Sequence, residues 1–423
     1  MASLNALSSA LLRTSRRAFH AVKAVVGSCD NVVKVTWSDG VETQHNATWL
    51  RHNCACPDCV QRHSGQRLLM SQDLKIVNKV TPLAIEDTCL RAACDGHVSM
   101  TPLHCLRTAP LATPTNDATT PPPSADAANN ASATAAAGRK KRVHEYSDVL
   151  ADENALFAWL NDLGQTGYAV ISGAAGNTDA VVNLANTISH PQPTIYGTTF
   201  DVVATDAPIN IAYSTAQLEL HQDIVYYESP PGLQFLHALQ FDDTVAGGES
   251  VLMDAFAVAS RFRDLHPAHF DVLTRVPMRF QKVHYERELP VHIASLKPII
   301  RLDHNGEIVE VTWSPPFEGP LPNTLPVDQV SAFYEAYVAF AQCIHAWDDL
   351  HVERRLHTGD VLTFNNRRML HGRRAFDLRT HGHRHLKGVY VNINEFASRL
   401  NFLCIKRNVA PPAFYGDGQM NVI

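Results

Sequence analysis

Residues 108–142, TAPLATPTNDATTPPPSADAANNASATAAAGRKKR, consist of Ala, Thr, Pro, Asn and Ser with almost no large apolar side chain. Such a stretch cannot bury enough surface to offset the entropy of ordering it, and it reads as a disordered linker. It divides the chain into two bodies, about residues 30–107 and 143–423, each of which must build its own core. The full length of 423 residues, above the usual single-domain size, agrees with that division. The basic run Arg139–Arg142 reads as a solvated linker end rather than a localisation patch.

Bulk composition narrows the function classes. With 45% hydrophobic residues the chain can bury a large core, and it has no run of about 20 apolar residues to cross a membrane. A formal net charge of −6 offers no global electrostatic attraction for nucleic acid. Residues 1–25 lack any acidic side chain and space Arg13, Arg16, Arg17 and Lys23 among Leu, Ala and Phe. That pattern is expected of a mitochondrial transit peptide, with a cytoplasmic location as the alternative.

In the first body, NVVKVTW and VETQHNATWL read as two strands across the Ser38-Asp39-Gly40 turn. Directly afterwards, Cys54, Cys56 and Cys59 form a C-x-C-x2-C loop. Three of the nine cysteines crowded into one loop point to metal binding in a reducing compartment rather than to a disulfide framework. Tetrahedral Zn2+ needs four ligands, so the rest of the body must supply one more. His97, after a strand in ACDGHVSM, is the choice, with His52, His63, Cys89, Cys94 and Cys105 as competitors. An iron–sulfur cluster fits the scattered later cysteines poorly. A zinc staple suits so small an α+β body, whose core is thin.

The second body opens with the amphipathic run Leu156, Phe157, Leu160, Leu163, which predicts a helix leading into a strand Tyr168–Ile171. A second helix is expected near Thr178–Ile188. Short strands with Gly, Pro and Asn-Asp turns follow: QFLHALQ, SVLMDA, PIIRLD, GEIVEVTW, DVLTFN and KGVYVNI, interrupted by a helix near Val327–Ala346. This mainly β pattern with a few helices predicts a double-stranded β-helix, a jelly roll with helical buttresses.

The chemistry concentrates in LELHQDIVYY. If this run is a strand, His221 and Asp223 project from one face and Gln222 from the other. An imidazole and a carboxylate are two thirds of a 2-His-1-carboxylate Fe(II) site, and His371, ending a late apolar strand in GDVLTFNNRRMLHGRR, is the candidate third ligand. Such a site leaves positions for a 2-oxoacid and O2. The distal carboxylate of the 2-oxoacid needs a fixed cation, and Arg offers two parallel hydrogen bonds. Arg384 is preferred on strand-return geometry to Arg373 and Arg374, which directly follow His371. Tyr196, Phe200, Tyr213, Tyr226 and Tyr227 make this region aromatic; rings that converge can hold a quaternary ammonium group, and rings that do not are ordinary core.

Five motifs in order, WLRHNCACPDC, YGTTF, NIAYSTAQLELHQD, GDVLTFNNRRMLHGRR and RHLKGVY, resemble the family of gamma-butyrobetaine and trimethyllysine dioxygenases. The resemblance implies a homodimeric hydroxylase of the carnitine pathway using Fe(II), 2-oxoglutarate, O2 and ascorbate, with a structural Zn2+ in its N-terminal domain. It puts iron on His221, Asp223 and His371, the 2-oxoglutarate arginine at Arg384, and zinc on Cys54, Cys56, Cys59 and His97. It also implies a trimethylammonium cage of Tyr196, Phe200 and Tyr213, with polar substrate contacts from Asn210 and Tyr390.

Two departures bear on the substrate. Phe200 stands where the family usually has Trp, and SPPFEGP (314–320) replaces an Asn-rich stretch that helps hold the substrate carboxylate. The thirteen-residue step from His371 to Arg384 and the RHLKGVY run resemble the butyrobetaine enzyme, whereas the transit-like N-terminus points to the trimethyllysine enzyme. Hydroxylation of gamma-butyrobetaine to L-carnitine is therefore the expected activity, with trimethyllysine or another betaine as the alternative substrate. A non-catalytic ligand-binding jelly roll with a zinc interaction module is the rival from a different class.

Overall fold

A computed structural model describes residues 20–27, 29–61, 66–107, 143–204, 213–322, 325–377 and 382–412. The linker 108–142, most of the transit-like segment, His63 and Asn210 lie outside the described residues. Backbone contacts divide the chain into a small unit (Met1–Cys56, Ile76–Pro114, Asn323–Ser331) and a large one (Pro57–Lys75, Thr115–Pro322, Ala332–Ile423).

In the small unit, Ala21–Val26, Val32–Trp37 and Glu42–Asn46 form one antiparallel sheet, and Val80–Ile85, Cys89–Cys94 and His97–Pro102 form another. Ala21–Val26 forms the edge strand of the first sheet, antiparallel to Val32–Trp37. The expected strand through VETQHNATWL stops at Asn46. There the Asn46 side chain accepts hydrogen bonds from the Thr48 and Trp49 amides, and a short helix, Ala47–His52, begins. That helix brings the chain to the cysteine loop.

The large unit contains a six-stranded sheet in the order Val143–Glu145, Tyr168–Ser172, Val361–Asn365, Leu233–Phe241, Arg384–Val391, Thr199–Val203. A four-stranded sheet runs Leu218–His221, Met369–Arg373, Ser250–Asp254, His351–Arg354. Alternate residues of the central strands feed two separate cores. Ala169, Ile171, Leu233, Phe235, Val361, Val389 and Val391 pack with Trp159, Leu160 and Leu163 of helix Glu153–Thr166 and Phe396 and Leu400 of helix Ile393–Arg407. Val170, Leu236, Ala238, Leu362, Phe364 and Leu386 point the other way and meet Leu252 and Met369 of the second sheet. One face of the large sheet is thus covered by helices and the other by strands, the expected buttressed jelly roll.

Helix Val327–Ala346 occupies the span the sequence predicts. The sequence reading left helices Ala255–Leu265, Pro267–Arg275 and Ile393–Arg407 unassigned. All three carry local start signals: the Asp254 carboxylate caps the first, Pro267 opens the second and the Asn392 side chain caps the third. Gly167 ends helix Glu153–Thr166 with a φ of 82°, and a Cβ there would lie 2.5 Å from Met369 Sδ, so both conformation and space call for glycine.

Candidate active site

Strand Leu218–His221 pairs antiparallel with Met369–Arg373, and His221 stands directly opposite His371. Their rings lie 4.4 Å apart between centroids. His371 sits in the middle of its strand, which lies between Leu218–His221 and Ser250–Asp254 in the four-stranded sheet, rather than at a strand end as expected. The strand argument for Asp223 also needs correcting. The strand ends at His221, and Asp223 belongs to the following turn, in which Ile224 adopts a φ of 57°. That left-handed conformation is costly for a β-branched residue, and the surrounding contacts hold it in place. Asn366 is the main clamp: its Oδ1 accepts the Asp223 amide at 2.8 Å, and its Nδ2 donates to the Asp223 carbonyl at 3.0 Å. Gln222 does point away as expected, where its Oε1 accepts the Trp313 amide at 3.0 Å.

One ligand atom from each of His221, Asp223 and His371 falls within 4.8 Å of the others. The His221 Nε2 lies 3.4 Å from Asp223 Oδ1, and the His371 Nε2 3.8 Å from Asp223 Oδ2. His221 donates its Nδ1–H to the Glu219 carbonyl at 2.7 Å, which turns Nε2 toward the carboxylate; burial would lower this imidazole, but the hydrogen bond and charge of Asp223 outweigh it and raise its pKa. Burial by itself would raise the Asp223 carboxyl. The His221 hydrogen bond, both imidazoles and the Tyr390 hydroxyl outweigh it and hold the group well below the usual carboxylate range. Burial and the neighbouring His221 push His371 down to about 3, so its imidazole is neutral. Two imidazoles and an ionised carboxylate on one side of a point form the donor set that suits Fe(II).

A cavity in the large unit is lined by all three of these residues together with Tyr196, Phe200, Tyr213, Tyr226 and Tyr390. The aromatic convergence that the sequence could not establish is therefore present, except that Tyr227 turns aside and accepts the Ile195 amide at 3.0 Å. Phe200 stacks on Tyr390 at 5.0 Å and lies over Gly388, where a Cβ would come within 2.2 Å of its ring. The hydroxyls of Tyr196 and Tyr226 lie 3.3 Å apart. Tyr390, the expected polar substrate contact, lines the cavity, and its hydroxyl donates to Asp223 Oδ2 at 2.7 Å.

Arg384 opens strand Arg384–Val391 and also lines the cavity, 5% exposed. Its guanidinium lies over Phe241 at 5.0 Å and Phe376 at 5.3 Å, and its Nε has no hydrogen-bond partner among the described residues. Burial and the nearby Arg355 push its pKa down to about 10, which an incoming carboxylate would reverse. Arg373 reaches the cavity too, but its Nη2 is committed to the carbonyls of Ser214 and Ala216, each at 2.7 Å. Arg374 is exposed and pairs with Glu353 at 2.9 Å.

The cysteine loop forms the second cluster. Ligand atoms of Cys54, Cys56, Cys59 and His97 all lie within 4.8 Å of one another. The His97 Nε2 is 3.3 Å from Cys54 Sγ and 3.6 Å from Cys56 Sγ. The Met100 amide donates to Cys54 Sγ at 3.3 Å, a contact that favours thiolate. Cys89, Cys94 and Cys105 stay outside the cluster, and burial raises each of their thiols. Three sulfurs and one imidazole complete a tetrahedral set suited to structural Zn2+.

Sequence reasoning missed two parts of the active site. Asn366 could have been suspected from the Asn-Asn turn that leads into the His371 strand. The segment Gln66–Met70, which lines the cavity, gave no signal because nothing in its composition marks it as functional.

Comparison with known proteins agrees with this geometry. Residues 130–390 match the taurine catabolism dioxygenase TauD, TfdA family, and residues 26–94 match the gamma-butyrobetaine hydroxylase-like N-terminal domain. The gamma-butyrobetaine dioxygenase of Pseudomonas sp. (strain AK-1) is 31% identical over 376 residues, covering 87% of this chain and 92% of the relative. The trimethyllysine dioxygenase of Meyerozyma guilliermondii is 27% identical over 394 residues, covering 89% and 94%. The human gamma-butyrobetaine dioxygenase is 26% identical over 379 residues, covering 88% and 94%. The chain belongs to the TauD, TfdA family and is an Fe(II)- and 2-oxoglutarate-dependent dioxygenase with a gamma-butyrobetaine hydroxylase-like N-terminal domain.

Proposed function

We propose that this dioxygenase hydroxylates a C–H of a trimethylammonium carboxylic acid, with gamma-butyrobetaine as the preferred substrate and L-carnitine as product. The observation that carries the reading is the wall of Tyr196, Phe200, Tyr213, Tyr226 and Tyr390 in the same cavity as His221, Asp223 and His371. A quaternary ammonium group has no hydrogen to donate, and aromatic faces bind it through their quadrupoles. Desolvation raises the Tyr196 hydroxyl to about 12, so this ring stays neutral, a polarisable surface rather than an anion.

The overall reaction balances. One oxygen atom of O2 enters the substrate C–H bond as a hydroxyl and the other enters succinate, while 2-oxoglutarate loses CO2; each organic partner gives two electrons. Fe(II) held by the two imidazoles and Asp223 supplies the activation of O2. The chain's own groups hold and orient the reactants. The Glu219 carbonyl fixes the His221 tautomer, and Asn366 and Tyr390 fix the Asp223 carboxylate from two sides. Arg384 receives the distal carboxylate of 2-oxoglutarate, and the aromatic wall aims one carbon at the reactive position.

The test is a substrate panel with Fe(II) and 2-oxoglutarate, scored by succinate release. Gamma-butyrobetaine should stimulate succinate formation more than trimethyllysine at equal concentration. Greater stimulation by trimethyllysine would overturn the substrate assignment, and stimulation by neither would overturn the betaine reading. We further expect a homodimer, checked by sedimentation, and mitochondrial delivery by the basic N-terminal residues, checked with a reporter fusion.

A further inference from the structure

Arg67 lines the same cavity, yet neither the iron chemistry nor the cosubstrate uses it. It lies on Gln66–Met70, part of the large unit, and two tethers hold this segment in place. At one end, Arg67 Nη2 donates to the Glu318 carbonyl at 3.2 Å. At the other, the Ser71 amide and hydroxyl both donate to the Glu219 carboxylate, which also meets His345 Nε2 at 3.1 Å.

The charges around the cavity are otherwise assigned. Asp223 belongs to the metal cluster, Glu219 is occupied by Ser71 and His345, and Arg373 by two carbonyls. Arg384 and Arg373 both stack on Phe376, so these two cations share one end of the cavity. Arg67 stands apart from them, beside the residues that follow Pro315–Phe317. A guanidinium offers five donors, and here the Glu318 carbonyl takes one, while Nε has no partner and no carboxylate pairs with the group among the described residues. Burial pushes the nearby Glu318 carboxyl up to about 8 against the downward pull of Arg67 itself, and its oxygens accept from the Tyr337 hydroxyl at 3.0 and 3.1 Å rather than from the guanidinium. A partly buried guanidinium that lines a cavity with donors not taken by any carboxylate favours an anion there.

We propose that Arg67 binds the carboxylate of the organic substrate and selects zwitterionic trimethylammonium acids over trimethylammonium cations that lack an acid. This inference rests on the substrate class proposed above. It gives the cavity two carboxylate positions, Arg384 for the cosubstrate and Arg67 for the substrate, with the aromatic wall for the cationic end.

Equilibrium binding to the metal- and 2-oxoglutarate-loaded protein tests it, with gamma-butyrobetaine, trimethyllysine and the carboxamide of each as probes. The wild type should bind each acid about tenfold or more tightly than its amide. In Arg67→Gln that ratio should fall to near one, and Arg67→Lys should restore part of it, while the Kd for 2-oxoglutarate stays within about twofold as the control for folding. A ratio in Arg67→Gln equal to that of the wild type, or a wild type that does not discriminate, overturns the role of Arg67. An Arg67→Gln that loses 2-oxoglutarate binding as well makes the residue structural and also overturns it. These outcomes are distinct from failure of the proposed function, which would appear as absence of succinate release with the acids whatever their binding.

Discussion

The zinc-type cluster and the iron-type cluster each join a short local motif to one histidine delivered from far along the chain. Cys54, Cys56 and Cys59 wait for His97, and His221 with Asp223 waits for His371. The first cluster ends with four ligands, three of them soft sulfurs, and a tetrahedral ion held this way has no position left for a reactant. The second ends with three hard or borderline ligands on one side of a point, facing a cavity with an aromatic wall and a buried arginine. Similar construction thus yields a closed staple in one place and an open reaction site in the other; the number and softness of the ligands make the difference.

That contrast can be broken at either cluster. The largest effect is expected from His221→Ala, which should reduce iron-dependent succinate formation to background while zinc content stays at one per chain. Retained turnover would remove His221 from the ligand set. Cys56→Ser should do the reverse at first order: zinc is lost on metal analysis and the melting temperature falls, because binding energy at a structural site is folding energy. A variant without zinc but with an unchanged melting temperature would show that the small unit needs no staple.

Smaller effects sharpen the open site. Tyr213→Ala removes one face of the aromatic wall and should raise the substrate KM about 10- to 30-fold, with the KM for 2-oxoglutarate unchanged. An unaltered substrate KM would take Tyr213 out of the cage. Tyr390→Phe keeps the ring against Phe200 but deletes the 2.7 Å hydrogen bond to Asp223, so iron affinity should weaken about tenfold while the substrate KM moves little. If the substrate KM rose and iron affinity held, the hydroxyl would be a substrate contact after all.

Legibility in the sequence followed the distance over which each interaction acts. Helix Val327–Ala346, the strands around QFLHALQ and DVLTFN, and the helix leading into the strand at Tyr168 are specified by side chains within one or two turns of chain, and they were readable. The start of helix Ala47–His52 was missed because VETQHNATWL alternates like a strand, and only the Asn46 cap tells the two apart. The two metal motifs were visible because ligand types cluster at short spacing. By contrast, the reason Asp223 joins His221 was misread, since a two-residue spacing satisfies both a strand and the Ile224 turn that the fold adopts.

By itself the sequence determined the jelly-roll class of the second body and the residue types of both metal sets, because composition and periodicity are properties of local chain. Only the tertiary structure decided that five aromatic residues line one cavity while Tyr227 does not, that the Tyr390 hydroxyl serves Asp223, and that Gln66–Met70, with Arg67, joins a cavity otherwise built from residues 196–390. The reason is physical. A hydrogen bond or ring contact between residues more than 100 positions apart depends on where separate strands and loops are brought by packing, and no local pattern carries that information.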